Sequence, residues 1–122
     1  MRPPFRIAPH RIAGIGCRPG TPLQALKIAL SAMGGADVLA TIPDRASDLR
    51  PLATALNLPL HLVAVAGIVT PTQSPRILAL HATGSVAEAA AIAAAQPRGG
   101  RLVQTRRTFG TVTIAIAIAE VS

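Results

Sequence analysis

A segment near the N-terminus has the residue types of an anion-binding turn: Gly14-Ile15-Gly16-Cys17-Arg18-Pro19-Gly20-Thr21. An apolar run precedes it and an amphipathic run begins at Pro22, an order that predicts strand, turn and helix. Backbone N–H groups in such a turn can point outward at a helix N-terminus, where the helix dipole favours negative charge. The glycine spacing is longer than in the dinucleotide fingerprint. We therefore predict an anion site and no nicotinamide cofactor.

Further polar residues follow the next predicted strand and open an alanine-rich helix. Ligands of open α/β sheets bind beyond the carboxyl ends of the parallel strands. If these segments meet at that edge, one rim gathers two cations, two carboxylates and several hydroxyl or thiol groups. The predicted members of this rim are Cys17, Arg18, Thr21, Thr41, Asp44, Arg45, Ser85 and Glu88.

Three of these residues could do chemistry. Cys17, beside Arg18 and near a helix N-terminus, could be a low-pKa thiolate, but no histidine has a spacing that pairs with it, which favours a structural role. Asp44 and Glu88 could act as acid and base, although an isolated aspartate is more often a cap or an ion-pair partner. Three dispersed histidines and one cysteine have no metal-ligand spacing, so no metal is predicted.

The charge of the chain indicates an anionic partner. Twelve Lys and Arg residues face five Asp and Glu, a net charge of +7, and all the cations but Lys27 are arginines. Arginine grips carboxylate or phosphate with two parallel hydrogen bonds. Proteins that bind single-stranded nucleic acid add stacking aromatic residues, and this chain has only two Phe. We expect no nucleic acid, and a small ligand with several carboxylates or phosphates.

Length and hydropathy predict one domain, residues 11–122, preceded by a basic, flexible tail, residues 1–10. Half of the residues are hydrophobic, which is typical of a packed core. No apolar stretch reaches the roughly 18 residues of a membrane helix, and the N-terminal apolar run is short for a signal peptide. With a single cysteine, these features predict a cytoplasmic chain with no membrane partner.

Apolar periodicity and turn residues predict the elements that position the rim. The expected strands are 11–17, 38–42 and 60–65, followed by a hairpin of 102–106 and 111–121 around Gly110. The expected helices are one capped by Thr21 with Pro22 in its first position, one capped by Ser47 or Asp48 with Pro51 in its first turn and Asn57 at its end, one from Ser74-Pro75 to His81, and one over 86–95.

The last strand shows a strict alternation of large and small residues. Val112, Ile114, Ile116 and Ile118 share one face, and Thr111, Thr113, Ala115, Ala117 and Ala119 share the other. Both faces should be covered, the small one by the alanine-rich helix. The prediction is an α/β fold: a three-layer α/β/α sandwich with a mixed, mostly parallel sheet ending in an antiparallel hairpin.

The glycine-rich segment resembles the opening motif of the CobE family, which is equivalent to the C-terminal domain of the cobalamin-biosynthesis protein CbiG. Three further segments follow in that family's order and approximate spacing: 40–42 (ATI), 84–90 (GSVAEAA) and 112–117 (VTIAIA). The resemblance covers about residues 11 to 120. It implies a role in corrin-ring assembly with tetrapyrroles bearing many carboxylates as ligands, in agreement with the arginine excess.

Departures from the family pattern favour binding over covalent catalysis. The family usually has an acid, one residue and Lys after the second motif, where this chain has Pro43, Asp44 and Arg45. It tends to have Lys before the last strand, where this chain has Arg106 and Arg107, whose role stays open. A catalytic lysine amine is thus excluded at either position. The lactone-opening activity associated with CbiG is attributed to a separate N-terminal region.

We therefore expect a protein that binds a precorrin-type tetrapyrrole through arginines and the glycine-rich turn. The predicted ligand-binding residues are Gly16, Cys17, Arg18, Gly20, Thr21, Thr41, Arg45, Gly84 and Ser85. Two alternatives stay open. One is a pathway enzyme with a hydrolase-like step that uses Cys17, Asp44 or Glu88, and the other is an accessory subunit whose basic surface docks a corrin-pathway enzyme.

Overall fold

A computed structural model describes residues 10–81 and 83–119, which form a mixed sheet between two helical layers. The strands are β1 (His10–Cys17), β2 (Val38–Thr41), β3 (Leu60–Leu62), β4 (Arg101–Phe109) and β5 (Val112–Ala119). The helices are α1 (Leu23–Ala32), α2 (Ala46–Leu56), α3 (Pro75–His81) and α4 (Val86–Ala95). Short 3-10 turns at Pro43–Arg45 and Gln96–Arg98 precede α2 and follow α4.

The sheet has the strand order β3-β2-β1-β5-β4. Strands β1, β2 and β3 pair in parallel, while β5 is antiparallel to both of its neighbours, β1 and β4. Four strands therefore point in one direction and β5 in the other. The α/β fold with a mixed sheet and a final antiparallel hairpin is confirmed.

Helices α1 and α2 cover one face of the sheet with large aliphatic side chains. The buried cluster on this face combines Leu26 and Leu30 of α1 with Leu49 and Leu52 of α2. From the sheet it takes mainly Ile15, Leu39, Val112, Ile114 and Ile116. Burial of each such side chain contributes about 1.5–3 kcal/mol, so this face supplies much of the driving force for folding.

Helix α4 covers the opposite face and lies unusually close to the sheet. A Cβ atom at Gly14 would overlap the carbonyl oxygen of Ala87, and it would also touch Ala91. Ala117 and Ala119 of β5 are fully buried against the same helix. The predicted contact between the small face of β5 and the alanine-rich helix is therefore confirmed.

Helices α1 and α2 do not begin where the sequence pattern predicts. The Thr21 hydroxyl does not cap α1 but turns back and donates to the Arg18 carbonyl at 2.7 Å, and Pro22 takes the capping position without a side-chain bond. Helix α2 begins at Ala46 after a 3-10 turn, so Pro51 lies inside the helix rather than in its first turn. Pro51 is exposed, so water can solvate the carbonyl that the missing N–H leaves free.

Strand ends also differ from the predicted ones. β3 stops at Leu62 instead of 65, β2 stops at Thr41, β4 extends over residues 101–109, and His10 belongs to β1 rather than to the tail. Residues 1–9 of the predicted tail and residues 120–121 of the predicted last strand lie outside the described residues. Among the described residues, no single helix is long and apolar enough to cross a membrane. Helix α3 and the segment Val86–Arg98 reach that length and apolarity only when they are counted together, and a 56° bend separates them.

Candidate functional site

An open cavity of about 200 Å³ lies at the carboxyl ends of β1, β2 and β4, where the fold predicts a ligand site. The end of β1 and the 3-10 turn after β2 form one wall, and α3 and the N-terminus of α4 form another. The hairpin between β4 and β5 closes the third side. The lining residues that carry polar or charged side chains are Cys17, Arg18, Arg45, Arg76, His81, Ser85, Arg106, Thr108, Thr111 and Thr113.

Positive charge dominates this cavity. Arg18, Arg45, Arg76 and Arg106 come from four different segments, and no aspartate or glutamate of the described residues lines the cavity with them. The first turn of α4 adds to this charge, because Ser85, Val86 and Ala87 line the wall at the positive end of the helix dipole. The N–H of Glu88 donates to Ser85 Oγ at 3.3 Å, so Ser85 caps α4.

The glycine-rich turn contributes side chains and shape, and its amide groups are occupied. The N–H of Arg18 donates to the Thr111 carbonyl (3.1 Å) and that of Thr21 to the Arg18 carbonyl (3.2 Å). The N–H of Gly20 donates to Asp48 Oδ1 at 3.0 Å. Since Pro19 has no N–H, the sequence-based expectation of outward-facing amides at residues 18–21 is wrong. A carboxylate of the protein itself has taken the position expected for a bound anion.

Cys17 lines the cavity in a half-buried position, and its environment favours the neutral thiol. Burial raises the pKa of the Cys17 thiol, and the negative charge of Asp48 raises it further. A hydrogen bond with Thr21 and the charge of Arg45 act in the opposite direction but are smaller effects. The direction of this shift is opposite to that of the low-pKa thiolate considered from the sequence.

Arg45 has a structural role as well as a place in the cavity wall. Its Nε donates to the Cys17 carbonyl and its Nη1 to the Asp44 carbonyl, both at 2.9 Å. These bonds tie the turn after β2 to the end of β1. Arg45 is therefore preorganised, while Arg18 and Arg76 are exposed and free to adapt to a ligand.

The structure moves several predicted rim residues out of the cavity. Thr41 is fully buried and donates to the Ile15 carbonyl at 2.7 Å, and the space beside Gly84 is filled by Thr70 and Thr72. Glu88 is fully buried within the α4 layer. Asp44 is exposed and lies outside the cavity. Gly20 and Thr21 are not among the lining residues either. Of the predicted ligand-binding set, the cavity keeps Gly16, Cys17, Arg18, Arg45 and Ser85.

Three basic residues of the cavity were not among the predicted ones: Arg76, His81 and Arg106. Helix α3, which carries the first two, has the predicted bounds, but nothing in its sequence shows that it lines the cavity together with the end of β1. Arg106 stood out only because it replaces a family lysine. Its neighbour Arg107 lies outside the cavity, with its guanidinium carbon 5.3 Å from the Phe109 ring centre.

The described residues hold no group of three or more His, Cys, Asp or Glu side chains arranged to bind a metal ion. Cys17 and His81 line the same cavity, but no carboxylate of the described chain joins them there. Positive charge and donor groups are thus what this cavity offers to a ligand.

Comparisons with known proteins agree on one family. The sequence model of the protein family described as cobalamin synthesis G C-terminus matches residues 11–117. The crystal structure of CobE, a protein from the cobalamin (vitamin B12) biosynthetic pathway, is 31% identical with a TM-score of 0.74, covering 99% of this chain and 98% of that one. The cobalamin biosynthesis protein chiG from Agrobacterium tumefaciens is 36% identical with a TM-score of 0.66, covering 91% and 99%. No curated protein matches the chain.

Proposed function

Because the chain belongs to the family of the cobalamin synthesis G C-terminus, we propose that it binds a polycarboxylate tetrapyrrole intermediate of the precorrin type in the arginine-lined cavity. The function is binding and presentation of that intermediate during corrin synthesis. The ligand's carboxylates pair with the arginines, and its macrocycle lies against the apolar part of the wall.

The observation that carries this proposal is the set of four arginines that share a cavity without a described carboxylate. Like charges in one cavity repel one another, so an anionic ligand relieves a cost that the free protein bears. A ligand with several carboxylates can engage several guanidinium groups at once, each through a bidentate pair. Ile77 and Leu80 of α3 supply the apolar contact that a macrocycle with alkyl substituents requires.

The size of the cavity indicates how such a ligand would be held. Pockets that enclose a whole drug-sized ligand have volumes of roughly 300–1,000 Å³. A cavity of about 200 Å³ therefore accommodates one edge of a macrocycle with its carboxylates. The remainder of the ligand stays outside, where a pathway enzyme can reach it. This favours presentation of the intermediate over sequestration.

A titration with uroporphyrin, a porphyrin whose peripheral side chains are all carboxylic acids, tests the proposal. We expect the Arg18→Ala/Arg76→Ala double variant to bind it at least about tenfold more weakly at low salt, because hydrogen bonds to charged groups contribute roughly 1.5–3 kcal/mol each. These two arginines are preferred to Arg45, whose replacement would also break two bonds to backbone carbonyls.

The matched control is Arg50→Ala/Arg98→Ala, which removes the same charge from two exposed arginines outside the cavity. Its affinity should change by less than about twofold, because exposed charges at a distance are screened by salt. Equal losses in the two double variants would reduce the proposal to non-specific attraction by net charge. A corrinoid absorbance spectrum on protein purified from cells that express the pathway enzymes would identify the natural ligand.

A pathway enzyme acting on the same ligand is the second candidate, favoured by the presence of Cys17 and His81 in one cavity. The raised pKa of the Cys17 thiol weighs against a nucleophilic role at neutral pH. Cys17→Ser separates the two functions in a complementation assay of cobalamin synthesis. Retained synthesis supports binding, and lost synthesis with retained uroporphyrin affinity supports catalysis.

A further inference from the structure

Glu88 is a fully buried carboxylate in a helix whose other residues are all Ala, Val or Ile. A buried charge is costly unless hydrogen bonds compensate for the lost water. Oε1 of Glu88 accepts from the backbone N–H (3.0 Å) and the hydroxyl (2.8 Å) of Thr72. Oε2 accepts from the backbone N–H of Arg106 at 2.9 Å. The carboxylate thus joins α4 to the strand that carries a cavity arginine.

The bond to Arg106 falls at an irregularity of β4. The register between β4 and β5 moves from Gln104 opposite Ile116 to Arg107 opposite Ile114. Two residues of β4, Thr105 and Arg106, therefore lie where β5 has only Ala115. A bulge of this kind interrupts the ladder of backbone bonds and changes the direction of the side chains beside it. Glu88 supplies the acceptor for the Arg106 N–H at this bulge.

The position of the bulge decides which arginine reaches the cavity. Neighbouring side chains of a strand point to opposite faces, so a one-residue slip exchanges their places. In this structure Arg106 lines the cavity and Arg107 lies over Phe109 outside it. A slip of β4 would withdraw Arg106 from the ligand site.

We infer that Glu88 is a positioning residue, which holds the β4 bulge through the Arg106 N–H and so directs the Arg106 side chain into the cavity. The inference rests on the proposed function for the class of ligand, a polycarboxylate. It gives a role outside the cavity to a residue that the sequence suggested as an acid or base. Glu88 acts through the backbone of Arg106 and does not touch the ligand.

Glu88→Gln tests this role with little change of shape. The amide oxygen can keep both bonds from Thr72, which leaves the amide NH₂ facing the Arg106 N–H, so that one acceptor is lost. Thr72→Val is the matched control, because it removes a bond to the other oxygen of the same carboxylate and leaves the Arg106 bond in place. Circular dichroism confirms that each variant is folded.

The first measurement is uroporphyrin affinity in a double-mutant cycle with Arg106→Ala. We expect Glu88→Gln to weaken binding about tenfold in the wild-type background and less than about twofold when Arg106→Ala is present, since a positioning residue has nothing left to position. Thr72→Val should change affinity less than about twofold. Equal losses in both backgrounds, or no loss in either, would overturn the inference.

The second measurement is amide hydrogen exchange of Arg106 in the ligand-free protein, which distinguishes a failure of this inference from a failure of the proposed function. Exchange should be faster in Glu88→Gln and unchanged in Thr72→Val. If the wild-type protein does not bind uroporphyrin, the proposed function fails and exchange alone decides the role of Glu88 at the bulge. Unchanged exchange in Glu88→Gln refutes that role. If Glu88→Gln does not fold, Glu88→Asp replaces it, because the shorter side chain withdraws the carboxylate from Arg106.

Discussion

The two faces of the sheet are built on different physical principles, and β5 shows both in adjacent residues. Ile116 points into the layer of α1 and α2, where large aliphatic side chains fill the space. Ala117 points into the layer of α4, where alanines and Gly14 let helix and strand approach closely. The first face stabilises the fold through the area it buries. The second sets the position of α4, whose first turn lines the ligand cavity.

This difference gives the two faces opposite sensitivities. The α1/α2 face should lose stability when a side chain is made smaller, because a cavity remains. The α4 face should lose stability when a side chain is made larger, because strand and helix must separate. Substitutions in both directions therefore test this difference between the two faces.

The largest expected effect is that of Ile116→Ala on the α1/α2 face. Ile116 is fully buried, so truncation should lower the free energy of unfolding by about 2–5 kcal/mol. Urea denaturation measures the change. Val103→Ala is the control, because Val103 is 46% exposed and should change stability by less than about 0.5 kcal/mol. A loss below about 1 kcal/mol at Ile116 would show that this face does not depend on volume.

Gly14→Ala should have the next largest effect, about 3 kcal/mol, at the upper end of ordinary overpacking because its new methyl group meets backbone rather than a mobile side chain. Gly16→Ala in the same strand is the control, since the nearest atoms there belong to Val86 at an ordinary 3.5 Å. Thermal and urea unfolding of both variants give the comparison. If the two substitutions cost the same, close approach of α4 is not what requires glycine at position 14.

Ala117→Leu should cost about 1–3 kcal/mol by overpacking the same layer. Ala93→Leu provides the control, because Ala93 is a partly exposed residue of α4, whereas Ala117 is fully buried. Differential scanning calorimetry of the two variants should show a lower melting temperature only for Ala117→Leu. An unchanged melting temperature at position 117 would mean that β5 and α4 can separate without cost.

The smallest effect concerns the pH dependence of Cys17, which packs at the edge of the α1/α2 core. Burial raises its pKa in the folded state, so the folded chain keeps the thiol proton to a higher pH than the unfolded chain. The contribution of Cys17 to the free energy of unfolding is therefore fully present below the pKa of the unfolded state. It declines as the pH rises from that value toward the pKa of the folded state.

Alkylation with iodoacetamide measures this pKa directly, because Cys17 is the single cysteine of the chain. The midpoint of the rate against pH should be higher in the folded protein than in urea, and Cys17→Ala should remove the corresponding slope of stability. Equal midpoints in the two states would contradict the assignment of Cys17 to a desolvated position.

Local patterns in the sequence predicted much of the fold. The bounds of α4 and the two faces of β5 follow from interactions between residues a few positions apart. Side-chain alternation and end capping are properties of a short segment, and the periods of 2 and 3.6 residues distinguish strand from helix. The predicted edge of the sheet also holds the cavity, because parallel strands place their carboxyl ends together.

Which polar groups remain available to a ligand depends on contacts between segments that lie far apart in the sequence. Asp48 takes the Gly20 amide from 28 positions away, and Glu88 takes the Arg106 amide from 18 positions away. Because of the first bond, the Gly20 amide of the predicted anion-binding segment is not free to bind a ligand. Because of the second, the predicted acid or base Glu88 is a buried carboxylate bonded to the backbone of β4. The fold also places Arg106 in the cavity and Arg107 outside it. Residue type determines what a group can bind, but competition among partners distant in sequence determines what it does bind, because hydrogen bonds act over about 3 Å in space regardless of separation along the chain.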